Sequence, residues 1–195
     1  MKKIILIGCG GHAKSVVDAI EASGAYEIIG FTDTAEKADF CYRGYQVLGD
    51  DTRLPTLFEK GVYEAFVCIG YMGRNRLRNQ LYCTLKNIGF SLAAVVDPSA
   101  IIAKDVKIGE GTFVGKRAVI NSAAVVGKMA IINTGAVIEH DSVVGDFCHV
   151  ACGAVLCGGV TLGANSMVGA NAVIVQGVSL PEDAFVKAGA LRKGS

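Results

Sequence analysis

The 195 residues carry 19 basic and 18 acidic side chains and 25 glycines. That length allows one or two domains with a sizeable buried core. The balanced charge argues against a nucleic-acid or anionic-membrane partner, which both need a basic surface, and no apolar run approaches the ~18 residues that span a bilayer.

The opening "MKKIILIGCGGH" has a basic start and a short apolar run, as a signal peptide does. It runs into a glycine-rich turn without a small-residue cleavage site, so Ile4 to Ile7 reads as a buried strand. Ala13, Val16, Val17 and Ile20 share one face of a helix over 13–22. Ile28 to Phe31 is a second strand, running on to Asp33. Thr52 to Lys60 is a short helix stopped by Gly61, and Ala65 to Ile69 is a third strand. Leu77, Leu81, Leu85 and Ile88 form one stripe of a helix from Arg74 to Ile88, stopped by Gly89. Leu92 to Val96 is a fourth strand. This alternation predicts a small Rossmann-like parallel α/β domain over residues 1–97.

The loop "GCGGHA" between first strand and first helix fits a dinucleotide fingerprint, with Asp33 about twenty residues on. A domain this short lacks room for both halves of a dinucleotide crevice, and the same geometry serves a nucleotide-linked sugar. The helix N-terminus and the N–H groups of Gly10, Gly11 and His12 would take a diphosphate. Asp33 would accept from a uracil or ribose, and Gly70-Tyr71 would form the opposite wall. His12 either contacts phosphate or sugar or caps the helix. Arg74, Arg76 and Arg78 either approach phosphate or form a solvated helix face.

After Asp97-Pro98 the period changes to six. From Ile102 to Val186, every sixth residue is aliphatic in all fifteen positions, and the residue two before each is small or β-branched. A helix drifts off such a period, whereas a solenoid of hexapeptides satisfies it. Three hexapeptides close one triangular coil, with the aliphatic inward and the small residue where the interior narrows. Five coils at the inter-strand spacing make a prism roughly 24 Å tall over residues 98–195. Gly109, Gly115, Gly127, Gly145, Gly163 and Gly169 follow the aliphatic, where the chain is expected to turn its corners.

Two of the three histidines, His140 and His149, interrupt this monotony in "IEHDSVVGDFCHVACG". The register points both away from the prism interior. A neutral imidazole suits proton abstraction near pH 7, with Asp141 or Glu139 beside His140 to hold its ring. Seven cysteines, an odd number without CxxC spacing, signal neither a disulfide framework nor zinc. No metal is expected, and the location is expected to be cytoplasmic.

"GCGGHAKSVVDAI", "GFTD", "CIG", "VVDPSA" and "IEHDSVVGDFCHVACGAV" together resemble the NeuD/PglD family of hexapeptide-repeat sugar acetyltransferases, over nearly the whole chain. The resemblance implies that the prism is a left-handed parallel β-helix, an exception to the usual crossover hand. It also implies a homotrimer that moves acetyl from acetyl-CoA to the amine of a UDP-4-amino-dideoxy sugar or to a hydroxyl of a sialic acid. Carried over residue by residue, His140 is the general base and Asp141 raises its basicity. His149 contacts the acetyl-CoA end, and Gly158 turns its N–H to the thioester oxygen. Asn133, Ala170 and Ala188 complete the acetyl-CoA positions. Family members usually end in a further strand and a "GxPAK"-like tail, whereas this sequence reads "AGALRKGS". Gly194-Ser195 reads as an expression remnant, and without the family's tail part of the CoA site is expected to be missing or differently built. An NAD-linked oxidoreductase with a β-helical oligomerisation module, or a non-catalytic nucleotide-binding trimer, are the competing readings.

Overall fold

The computed structural model describes residues 1–70 and 76–193. Tyr71, Arg74 and Gly194-Ser195, singled out above, lie outside the described residues.

β1 (Lys2–Ile7) pairs in parallel with β2 (Tyr26–Thr32) on one side and, on the other, with the strand Glu64–Val67. Between them α1 (Gly11–Ser23) buries Ala13, Val16, Val17, Ala19 and Ile20 and ends at Gly24, which takes the left-handed conformation. A hairpin not foreseen from sequence, β3 (Cys41–Tyr42) and β4 (Tyr45–Gln46), follows β2. Then come α2 (Leu54–Glu59), β5 (Glu64–Val67), α3 (Arg76–Ile88) and β6 (Ser91–Leu92). The sheet order is β2-β1-β5-β6. All pairs are parallel, as βαβ crossovers require.

The single strand expected over Leu92 to Val96 is divided. Leu92 ends β6, whereas Val95–Val96 pairs with Phe113–Val114 and is already the first rung of the prism. From there, rungs of two residues stack in parallel at intervals of 18 residues. The first face holds Val95–Val96, Phe113–Val114, Ile131–Ile132, His149–Val150, Met167–Val168 and Phe185–Val186. The second face runs from Ile101–Ile102 to Leu191–Arg192, and the third from Lys107–Ile108 to Ser179–Leu180. The second residue of each rung points inward. These side chains, with the alanines between them, form one continuous apolar core from Val114 to Val186.

The corners correct one expectation. The glycines directly after the inward aliphatic are not the left-handed positions. That conformation falls two residues later, at Asp141 (φ 60), Asn165 (φ 59), Asn171 (φ 54) and Asp183 (φ 58), among others. Asp and Asn tolerate it better than most residues. The earlier glycines are needed for close stacking: a β-carbon on Gly109 or Gly163 would lie 2.4 Å from a backbone nitrogen of the next coil.

The N-terminal domain docks on the first face. Val95, Phe113 and Ile131 join the core formed by β1, α1 and Phe66. Met129 and Phe147, at the adjoining corners, join the core on the other side of the sheet. Near the dock, α3 departs from its expected stripe. Leu77 is 49% exposed, while Arg78 is 2% exposed and turns inward. Its guanidinium donates to the Met129 and Phe147 carbonyls. Arg78 is therefore neither a solvated residue nor a free phosphate ligand; it is engaged with the carbonyls of two prism corners.

Candidate active site

The second and third faces meet at a vertex that carries His140. Its coil is pinned on both sides, because the His140 carbonyl accepts from Gly159 N–H at 2.9 Å and Asp141 N–H donates to Ser122 O at 3.1 Å. The left-handed corner at Asp141 turns its carboxylate back on the ring, with Oδ2 2.8 Å from His140 Nδ1. Hydrogen bonding to Asp141 raises the His140 pKa above its usual value; desolvation opposes it, and the charges of Asp141 and Glu139 add smaller raising contributions. With Nδ1 engaged, Nε2 is the ring nitrogen left to accept a proton.

On the next coil, Gly158 lies directly under that ring. A β-carbon there would be 2.7 Å from both Cε1 and Nε2 of His140. Glycine is the residue that lets the imidazole rest on the backbone. Among the described residues, the Gly158 N–H has no hydrogen-bond partner. A proton acceptor and an unpaired N–H thus share one vertex.

His149 departs from its expected setting. It points out of the prism, but onto the first face, where it is half-buried near Arg78 and His12 of the N-terminal domain. Burial, then the charge of Arg78, lowers its pKa to about 4. Asn133 Nδ2 is 3.4 Å from His149 Nε2. His12 lies at the same junction, edge-on to Phe113 with ring centroids 4.9 Å apart. Burial, then His149 and Arg78, lowers its pKa to about 3. His12 does not cap α1: the N-cap is Gly10, and no side chain caps it.

A cavity of about 730 Å³ opens at the carboxyl ends of β1, β2 and β5. Gly10, Gly11 and His12 line one part, Thr32, Asp33, Asp50 and Asp51 another, and Ile69, Gly70 and Leu77 a third. Crevices at strand carboxyl ends are where open α/β sheets bind ligands. The Asp33 carboxylate accepts from Cys9 N–H (2.8 Å), the Cys9 thiol (3.1 Å) and Thr34 N–H (2.7 Å). Burial pushes its pKa up, but these donors outweigh it and hold the value down. Most of its acceptor capacity is spent tying the glycine loop to β2, which leaves little for the uracil or ribose contact expected. Asp50, Asp51 and Thr52 were not singled out from sequence. The signal was there: Asp50 caps the turn before α2 by accepting Thr52 N–H at 3.0 Å.

The predicted residues fall into three groups. His140, Asp141 and Gly158 meet at the vertex of the second and third faces. Asn133, Ala170 and Ala188 lie along the vertex of the first and second faces, with Gly189 N–H bonded to Ala170 O, and His149 sits just before it. Gly10, Gly11, His12, Asp33 and Gly70 surround the cavity. Within one chain the cavity and His140 lie on opposite sides of the prism.

An aliphatic prism of hexapeptide coils, with a histidine resting on a corner glycine, is the scaffold of the acyltransferases built on such repeats. The PglD N-terminal domain family matches residues 3–85, the succinyl-transferase hexapeptide repeat residues 105–140, and the six-repeat bacterial transferase hexapeptide residues 142–176. PerB from Caulobacter crescentus, solved with CoA and GDP-perosamine, is 37% identical; the match covers 100% of this chain and 92% of that one, with a TM-score of 0.90. This chain belongs to the NeuD/PglD family of sugar acetyltransferases, and its prism is the left-handed parallel β-helix of that family. The acetyltransferase domain of PglB from Neisseria gonorrhoeae FA1090, solved with acetyl coenzyme A, is 29% identical over 98% of this chain and 93% of that one, with a TM-score of 0.87. WeeI from Acinetobacter baumannii AYE, at 21% identity, 98% and 96% coverage and a TM-score of 0.76, shares the fold. A comparison with curated proteins returns no match. No helix among the described residues is long and apolar enough to cross a membrane.

Proposed function

We propose that the protein transfers acetyl from acetyl-CoA to the amine of a nucleoside-diphosphate-linked amino sugar, with His140 as general base. The observation that carries this reading is the vertex itself, where His140 Nε2 and the free Gly158 N–H flank one point and Asp141 holds the far side of the ring. His140 Nε2 takes the proton from the attacking amine and later delivers it to the departing thiolate. Gly158 N–H donates to the thioester oxygen as negative charge gathers there. Asp141 orients the ring and favours its protonated form.

The acceptor nucleotide occupies the cavity, with its diphosphate on the Gly10–His12 turn at the start of α1. PerB, the 37% identical relative solved with GDP-perosamine, supports an amine acceptor over a sialic-acid hydroxyl and makes GDP as eligible as UDP. The acyl donor runs along the vertex of Asn133, Ala170 and Ala188, near His149; that the donor is acetyl-CoA is supported by the relatives solved with CoA and with acetyl coenzyme A.

One chain separates these parts, so the working unit is a homotrimer in which each site draws on two chains. The second face supports this. Its outward ladder is wholly aliphatic from Ile101 (67% exposed) through Val119, Val137, Val155 and Val173 to Leu191 (57% exposed). Such a stripe calls for cover, and a closed threefold ring provides it. The competing NAD reading has little support, because a four-stranded sheet offers only one mononucleotide half.

The test is thiol release from acetyl-CoA against a panel of GDP- and UDP-linked amino sugars, with sialic acids as a control. Release with an amino sugar supports the reading. No release across the panel, from folded protein that binds acetyl-CoA, sinks it.

A further inference from the structure

Two carboxylates flank His140, and only one of them is engaged. Asp141 Oδ2 is held at 2.8 Å from Nδ1 of the ring. Glu139 precedes the ring, and its backbone N–H donates to Leu156 O at 2.9 Å. Its carboxylate makes no hydrogen bond and no ion pair among the described residues, yet the residue is half-buried. A partly desolvated anion without a partner is costly to keep. The corner offers it no cation. Asn121 and Cys157, which hold the same corner position on the coils above and below, are uncharged. The rungs of the second face beside it are Val137–Ile138 and Val155–Leu156, all aliphatic. The cations of this vertex, Lys104 and Lys193, stand two and three coils away, roughly 10 and 14 Å at the inter-strand spacing. Glu139 is close enough to His140 for its charge to favour the protonated ring. A negative charge thus stands beside the point where the acceptor must arrive, and no lysine or arginine of the vertex neutralises it.

We propose that Glu139 determines acceptor specificity: its carboxylate receives the ammonium form of the sugar amine beside His140 and turns away acceptors that carry a carboxylate of their own. An amine on a sugar ring is largely protonated near neutral pH. Its attraction to a carboxylate strengthens where water is partly excluded. A hydroxyl at the same carbon gains nothing from that charge, and the carboxylate of a sialic acid is repelled by it. The assignment rests on the acetyl transfer proposed above and explains why an amine is favoured there.

The probes are GDP- and UDP-linked 4-amino sugars, each paired with the sugar nucleotide that has a hydroxyl at the same carbon. Calorimetry on the wild type should find the amino sugar bound more tightly than its hydroxyl partner, by a margin that narrows as salt is added. Glu139→Gln keeps the shape of the side chain and should weaken amino-sugar binding roughly tenfold, the scale of one charge-assisted contact, while the hydroxyl partner binds as before. In turnover the same variant should raise KM for the amino sugar and leave KM for acetyl-CoA unchanged. Glu139→Asp keeps the charge and should recover most of the affinity. Equal binding of the two sugar nucleotides by the wild type, or an equal loss of both in Glu139→Gln, overturns the proposal. So does a Glu139→Gln chain that falls apart into monomers with its preference for the amine intact, since the carboxylate then pairs with a neighbouring chain. The calorimetry needs no turnover. A preference for the amine that Glu139→Gln abolishes, in a protein that transfers no acetyl, supports the role of Glu139 and fails the functional reading alone.

Discussion

Asp141 Oδ2 lies 2.8 Å from Nδ1 of His140, and it reaches that atom because Asp141 holds the left-handed backbone conformation, φ 60, at the corner of its coil. Every coil must turn there, so a requirement of the fold also sets the carboxylate against the base. The rate should fall at low pH as His140 protonates. The midpoint of that fall should lie above the ordinary histidine value, since Asp141 raises the pKa. Asp141→Asn removes the largest raising interaction, so the midpoint should move to lower pH while kcat drops. His140→Ala should lower kcat by ~10²–10⁴ without loss of fold. Near-normal kcat in His140→Ala, or an acid limb that Asp141→Asn leaves in place, would remove His140 from the role of base.

Gly158→Ala keeps the backbone N–H but adds a methyl 2.7 Å from the His140 ring. The ring must move off the N–H, and catalysis should fall by at least ~10², the scale of a lost oxyanion donor. The melting temperature should change little, because the exposed ring is free to swing away. Unimpaired turnover in Gly158→Ala would show that the ring need not rest there.

His12 and His149 are held neutral at the domain junction, with pKa values of about 3 and 4. Both are depressed below the unfolded value near 6.5, so the unfolded chain binds protons first as pH falls. Their stabilisation is complete above pH 6.5 and is lost on the way down to about pH 3–4. At pH 5 each ring should weaken folding by about 2 kcal/mol. His149→Gln should show a smaller loss of melting temperature between pH 7 and pH 5 than the wild type. An equal loss in both would mean that His149 does not titrate in this way.

Three copies of a 20.3 kDa chain should sediment together as one species of about 61 kDa. Val137→Asp or Val155→Asp, in the middle of the second face, should yield folded monomers that have lost turnover because the site needs a neighbour. Full activity in such a monomer would refute the shared site.

Calorimetry should find GDP or UDP binding with sugar-nucleotide affinity unaffected by acetyl-CoA-site variants such as Ala170→Trp. Asp33→Ala frees the glycine loop from β2 and should weaken nucleotide binding by more than one contact's worth, since Asp33 accepts from both Cys9 and Thr34. Tight NADH binding with no response to any nucleotide would overturn the assignment of the cavity.

The prism was legible from the chain alone because each inward residue meets neighbours 18 positions away in an identical setting, so one steric rule is written fifteen times over, from Ile102 to Val186. The glycine loop was legible for a similar reason: strand, turn and helix are contiguous there. What the sequence could not show is how the two patterns sit against each other. Leu77 and Arg78 exchange their expected places because α3 meets corner carbonyls at Met129 and Phe147, 51 and 69 residues further on. His149 turns outward as its register required, yet it is half-buried, because the dock lies against the first face and leaves His140 exposed at the opposite vertex. Periodicity records which way a side chain points from its own backbone. What then lies in front of it is decided by contacts between distant segments, which no local pattern encodes.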